Sequence, residues 1–326
     1  PITPQNEIPE YMSWRLFEVG GAFVQAESEV ASINMLYGAC GAGARAMTSS
    51  SSPGISLMQE GISYICCAKI PCVIVNMVRG GPGLGGIQPA QGDYFQATKG
   101  GGHGDYHMIV YGPNSVQECV DIMYNAFDTA DKYRVPVMIL GDGMLGQIME
   151  PVELPEMKDL SKLPVKEWAT DGTGVGKNRR VINSLLINPD DLEAHNNAMV
   201  KVYEEIARNE TRVEEYLVDD AEIVITAYGT VARIAKSAVN MLRAKGVKAG
   251  LIRPITLFPF PNATFKAAAE KECVKKFLCV ELSVGQMIED VKLATECRKP
   301  VEFFGRNGGN VMSPEDIVEF VTKEKN

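Results

Sequence analysis

From residue 22 to 152, short runs of β-branched and apolar residues alternate with longer stretches in which apolar positions recur every three or four residues. The runs AFVQA (22–26), RAMTS (45–49), CVIVNMV (72–78), HMIVY (107–111) and PVMIL (136–140) predict five strands. Strands alternating with helices are the mark of an α/β fold. CVIVNMV is almost continuously apolar, as a central parallel strand is when helices cover both its faces. Ahead of the last strand, Ser115-Val116-Gln117-Glu118 reads as a capping box. Val116, Cys119, Val120, Met123, Phe127 and Ala130 then form one helical stripe, predicted to pack on the sheet.

The pattern changes at residue 153. A Pro- and Lys-containing stretch leads through TDGTGVGKNRR to a polar run over 189–216 whose charges pair at i,i+4, predicting one long helix in a connector spanning 153–216. A second α/β unit occupies 217–326. Its predicted elements are strand 222–228, helix 230–245 closed by Gly246, strands 247–252 and 276–282, and helix 285–297. A last helix is announced by Ser313 as N-cap, Pro314 in its first turn, and Glu315 and Asp316 complementing the dipole.

Composition narrows the function classes. Hydrophobic residues make up 45% of the 326 and charged ones 22%, which is ordinary globular usage. With 32 basic against 41 acidic side chains the formal charge is −9, a poor match to nucleic acid or to anionic lipid. No run approaches the roughly 18 apolar residues of a membrane span, and the first residues carry no export signal. The eight cysteines form no C-x-x-C pair and lie mostly in apolar surroundings, which predicts reduced thiols in a cytoplasmic protein and no metal site.

Several motifs carry chemistry on paper. GGPGLGG (80–86) contains G-x-G-x-x-G after a strand, but Pro89 and Gly92 stop a helix from starting there, so a mobile loop is expected rather than a dinucleotide site. GTGVGKN (172–178) lacks the first glycine and the Ser or Thr of a phosphate loop. Gly141-Asp142-Gly143 resembles the start of a magnesium-diphosphate motif, yet no Asn follows in 165–175 to complete it, leaving a strand exit. Arg79 stands where open α/β sheets bind ligands and is suited either to clamp a carboxylate or to form a salt bridge. Glu29 opens a helix and complements its dipole or serves catalysis. The hydroxyl run from Thr48 to Gly54 caps a helix or holds an anion, and His103 sits in a glycine-rich loop open to acid–base work.

Taken together, PITPQNEIPE (1–10), QAESEVASINMLYGACGAGARAMTSSSSPGISLMQE (25–60), PCVIVNMVRGGPGLGG (71–86), QGDYFQATKGGGHGD (91–105) and VPVMILGDG (135–143) resemble the α chain of 2-oxoacid:ferredoxin oxidoreductases. AYGTVARIAKSAV (227–239), GLIRPITLFPFP (250–261), VGQMIEDVKLA (284–294) and PVEFFGRNGG (300–309) are similar to that family's second domain. The resemblance implies an α/β chain with a thiamine diphosphate pyrimidine-binding-type parallel-sheet domain at 1–152, then the connector, then a transketolase-C-terminal-like domain. It implies thiamine diphosphate shared with a β-type partner that holds the diphosphate, Mg²⁺ and an iron–sulfur cluster, together with a γ-type subunit, coenzyme A and ferredoxin, and no metal in this chain.

Residue by residue, the family's pattern places the carboxylate that bonds the aminopyrimidine N1′ at Glu29, with Glu27 as fallback. Thr3, of the YPITP motif, and Arg79 are expected to orient the substrate carboxylate, and Ser52 and Gly54 to contact the cofactor. His103 is a further candidate. The family carries a strand and helix ahead of that motif, so the 1–152 domain is expected to be incomplete at its N-terminal side by about 20–25 residues and to expose a sheet edge. The run 80–107 looks like branched-chain members, and Lys99 is the only basic residue between Arg79 and His103 able to meet a second carboxylate. Oxidative decarboxylation of 2-oxoisovalerate is therefore favoured, with 2-oxoglutarate as the alternative substrate and a catalytically silent assembly subunit as the alternative class.

Overall fold

The computed structural model describes residues 1–172 and 179–323, so most of the glycine-rich stretch noted at 172–178 lies outside the described residues. Helices α1 (Glu7–Arg15), α2 (Glu29–Gly41), α3 (Ser52–Cys67), α4 (Tyr94–Thr98) and α5 (Val116–Tyr133) alternate with strands β1 (Met47–Ser50), β2 (Val73–Val78), β3 (Ile109–Tyr111) and β4 (Val137–Asp142). After the long helix α6 (Pro189–Asn209) come β5 (Val213–Tyr216), β6 (Ile223–Thr226), α7 (Gly229–Ala244), β7 (Ala249–Pro254), β8 (Thr256–Phe258), α8 (Asn262–Glu270), β9 (Lys276–Glu281), α9 (Met287–Ala294), β10 (Val301–Gly305) and α10 (Pro314–Lys323).

Two five-stranded sheets result, ordered β1-β2-β4-β3-β8 and β10-β9-β6-β7-β5. Each is parallel except for one antiparallel edge strand, β8 on β3 and β5 on β7. All six residues of β2 are buried, because helices cover both of its faces. The chain leaves β7 at Pro254 and enters β8 at Thr256, so consecutive strands belong to different sheets. One hydrophobic core correspondingly runs from Ile55, Val110 and Leu140 to Tyr228, Ile252 and Phe277.

Three expectations need correction. Residues 22–26 form no strand: they run without a ladder partner, and Val24 is exposed. Alternating side chains predict two faces, but strand formation needs a neighbour to take up the backbone hydrogen bonds, and β1 pairs only with β2. The helix predicted over 189–216 stops at Asn209, and Val213–Tyr216 pairs with β7 instead. VEEY does not alternate, so nothing in its own pattern set it apart from the charged helix before it. The helix predicted over 285–297 is likewise shorter, Met287–Ala294.

Candidate functional site

Ser28 caps α2, its Oγ accepting from Ala31 N at 3.2 Å, and Glu29 follows in the first turn, where the helix dipole favours a carboxylate. Glu29 is half-buried and faces the start of α3. There Gly54 leaves the necessary room: a Cβ at this position would stand 2.8 Å from Glu29 Cγ and Oε1 and 2.0 Å from Ser50 Oγ. A cavity of about 1070 Å³ opens at this junction. Its polar side is Glu27, Glu29 and Thr48 with Ser50, and its apolar side includes Met58 and Phe127. The hydroxyls of Ser50 and Ser51 are buried without a hydrogen-bond partner, although buried polar atoms are nearly always satisfied. An acidic side chain, idle hydroxyls and an apolar wall suit a flat heterocycle that bonds at its edge.

The structure brings Thr3 and Arg79 together, but through the backbone. Arg79, at the end of β2, donates from Nη1 to the Thr3 carbonyl at 3.0 Å and from Nη2 to the Leu84 carbonyl at 2.9 Å. Its Nε is buried without a partner, and neither Arg79 nor Thr3 lines the cavity that holds Glu29. The surface salt bridge considered for Arg79 does not form, since the side chain is buried against carbonyls. Ser52 is already engaged as well: its Oγ donates to Asp93 Oδ2 at 2.6 Å and accepts from Arg79 N at 3.1 Å.

The remaining candidates divide between the cavity and other parts of the fold. His103 is exposed and lies 3.5 Å from Ser63 Oγ, nine residues and roughly 14 Å along α3 from Gly54 at 1.5 Å rise per residue. Glu27 is exposed at the cavity. Residues 80–88 form a loop closed by Gly80 N on the Gln88 carbonyl and Gly86 N on the Gly80 carbonyl, with no helix beginning there. Asp142 of the Gly-Asp-Gly turn accepts from Met144 N at 2.9 Å and Leu145 N at 3.0 Å, a strand exit capping its own turn. Burial pushes its carboxyl above the usual range. No cluster of three or more metal-binding side chains is found among the described residues, and no helix among them is long and apolar enough to cross a membrane.

Pattern reading overlooked Asp93 and Asn76. Asn76 is the one polar residue in the buried strand β2 and donates from Nδ2 to Asp93 Oδ2 at 3.0 Å. A lone amide in an apolar strand is itself a signal, because burial obliges it to find a partner. Lys99 is not free either. It pairs with Asp290 of the second sheet's helix α9, which also accepts from Tyr94 Oη at 2.5 Å.

Comparison with known proteins gives the same pattern over nearly the whole chain. The family model of the pyruvate flavodoxin/ferredoxin oxidoreductase thiamine diphosphate-binding region matches residues 1–215, and that of pyruvate:ferredoxin oxidoreductase core domain II matches 221–317. Ketoisovalerate oxidoreductase subunit VorB of Methanothermobacter marburgensis is 51% identical over 318 residues, covering 98% of this chain and 89% of the relative. The 2-oxoglutarate synthase subunit KorA of Methanothermobacter thermautotrophicus is 37% identical over 350 residues, covering 99% and 92%. Among solved structures, the 2-oxoglutarate:ferredoxin oxidoreductase of Magnetococcus marinus, with 2-oxoglutarate, coenzyme A and succinyl-CoA bound, superposes with a TM-score of 0.84 at 27% identity. It covers all of this chain, which spans 61% of that longer one.

Proposed function

This chain belongs to the family of thiamine diphosphate-dependent 2-oxoacid:ferredoxin oxidoreductases, and from that premise we propose that it is the pyrimidine-binding subunit of a complex that oxidatively decarboxylates 2-oxoisovalerate, with coenzyme A and ferredoxin, in the cytoplasm. The observation that carries the reading is the placement of Glu29 on a cavity wall against Gly54, beside hydroxyls that have no other partner.

Thiamine diphosphate, when bound, supplies a carbon nucleophile and an electron sink for 2-oxoacid decarboxylation. Glu29 is assigned to hold a proton with N1′ of its aminopyrimidine, and Glu27 is the acid next to it. Ser50, with Ser51 and Gly54 beside it, is assigned to the ring, while the hydroxyl of Ser52 stays committed to Asp93 and the Arg79 backbone. Arg79 has an unpartnered Nε–H for the substrate carboxylate and can exchange its bond to the Leu84 carbonyl for a second, while the Thr3 segment fixes its far side. His103 takes no part, being more than two helical turns away.

A partner completes the pocket. Met12 and Leu16 line the cavity, while Trp14 and Phe17 of the same stretch are 67% and 58% exposed, an apolar surface beside an open site. We assign the diphosphate, Mg²⁺ and an iron–sulfur cluster to that β-type partner and expect a γ-type subunit in the complex. The eight free thiols suit a reducing, cytoplasmic compartment.

The preference for a branched monocarboxylate rests on spent cations. Lys99 is paired with Asp290, and the two basic residues on the cavity wall, Arg45 and Lys158, are both paired with Asp128. A second substrate carboxylate would have to break one of these pairs. Steady-state assays of the assembled complex test this: kcat/KM for 2-oxoisovalerate is expected to exceed that for 2-oxoglutarate by at least about tenfold, since each 1.4 kcal/mol of discrimination is worth that factor. The reverse order would overturn the substrate assignment.

A further inference from the structure

Asp93 has no role in the reading above, yet it sits where three pieces of the site meet. Its Oδ2 accepts from Ser52 Oγ, in the first turn of α3, and from Asn76 Nδ2, within β2. The same Ser52 oxygen accepts from the backbone N–H of Arg79 at 3.1 Å. One carboxylate oxygen therefore ties the helix start that faces Glu29 to the strand end that carries the guanidinium. Burial raises the pKa of this carboxyl, and the bonds from Ser52 and Asn76 oppose that rise.

The surroundings show why this tie bears on position. Asn76 Oδ1 and Arg79 Nε are buried with no partner, so no further bond from either atom holds the strand end to the helix. The fold itself is secured by other means. β2 is laddered to both β1 and β4, and α3 buries Ile55, Met58, Ile62 and Ile65 in the core. Loss of Asp93 would thus leave the elements in place and free the angle between them.

We propose that Asp93 is a positioning residue, which through Ser52 fixes the Arg79 backbone relative to the start of α3 and so sets where the 2-oxoacid carboxylate is held with respect to Glu29. This inference rests on the functional reading above. A guanidinium freed from this register holds the 2-oxoacid carboxylate less well in ground and transition state alike, so a single bridging carboxylate can govern KM without touching substrate.

The test uses the assembled complex with Asp93→Ala and Asp93→Asn. Asparagine presents a carbonyl oxygen where Oδ2 stands and can accept both bonds, whereas alanine accepts none. Asp93→Ala is expected to raise the KM for 2-oxoisovalerate at least about tenfold with kcat within about threefold, and to weaken calorimetric binding of 2-oxoisovalerate to the cofactor-free complex by the same factor. Asp93→Asn is expected to restore both to within about threefold of the unsubstituted complex. If the alanine chain does not assemble, Ser52→Ala cuts the same link and must reproduce the KM rise. An unchanged KM in the substituted complex, or equal losses with Ala and Asn, overturns the assignment. Absence of any 2-oxoacid turnover by the unsubstituted complex would overturn the functional reading, and this inference with it.

Discussion

At the scale of single residues, the site depends on what Gly54 lacks. The helix could accommodate alanine by propensity, but its Cβ would meet Ser50 Oγ at 2.0 Å and the Glu29 side chain at 2.8 Å, distances at which something must move. Gly54→Ala is expected to lower kcat for 2-oxoacid oxidation at least about tenfold while the complex still assembles, as gel filtration beside steady-state assay would show. Unchanged kcat would mean that Glu29 is not held where it acts. From residue patterns, Glu29 was legible as a dipole complement or a catalytic acid, and the first reading holds, since it occupies the first turn of α2. Its assignment to a coenzyme came from the resemblance spread over 25–60. Asp93 and Asn76 stayed hidden because they lie 17 positions apart and acquire meaning only when β2 and the segment before α4 come together.

At the scale of elements, hydrophobic pattern located β2, β4, α5 and α7, and capping signals located α10, because each has a complete local signal. Ser115 caps α5 as read, with Glu118 N donating to its Oγ at 3.1 Å, but the Glu118 carboxylate reaches to the N–H before Ser115 rather than to that of Ser115, which a capping box would engage. It accepts from Asn114 N and from both Nη atoms of Arg253 at 2.8 Å, while Arg253 Nε donates to Glu214 Oε2 at 2.7 Å. This clasp joins α5 of the first sheet layer to β7 and β5 of the second, a contact 135 residues apart that no local pattern encodes. Burial opposes ionisation of Glu214, yet its bonds from Lys236 and Arg253 win and hold its carboxyl below the ordinary 4.5. Its contribution to stability is therefore full above that value and lost as pH falls through the lowered one. Urea midpoints followed from pH 7 to about 3 are expected to fall less steeply in Glu214→Gln than in the unsubstituted chain, and Arg253→Ala is expected to cost roughly 3 kcal/mol at neutral pH. Parallel pH curves would contradict the clasp.

At the scale of the whole molecule, the fold class was readable from alternating elements. The swap of edge strands was not: β8 completes the first sheet although it follows β7 of the second, and β5 closes the second although its charges suit a helix. Short strands of three or four residues gain their identity from the edge they join rather than from their own sequence. The consequence is a continuous core beneath both sheets, which gives the cavity at Glu29 a firm floor, while Trp14 and Phe17 are exposed in the same stretch as Met12 and Leu16 of its wall. The pocket we propose is built by two chains, one carrying the acid and the other the charged tail of the coenzyme. Deuterium exchange at carbon 2 of thiamine diphosphate bound to the assembled complex tests this most directly. Glu29→Gln is predicted to slow that exchange at least about a hundredfold with the coenzyme still bound, and exchange at the unsubstituted rate would contradict the account.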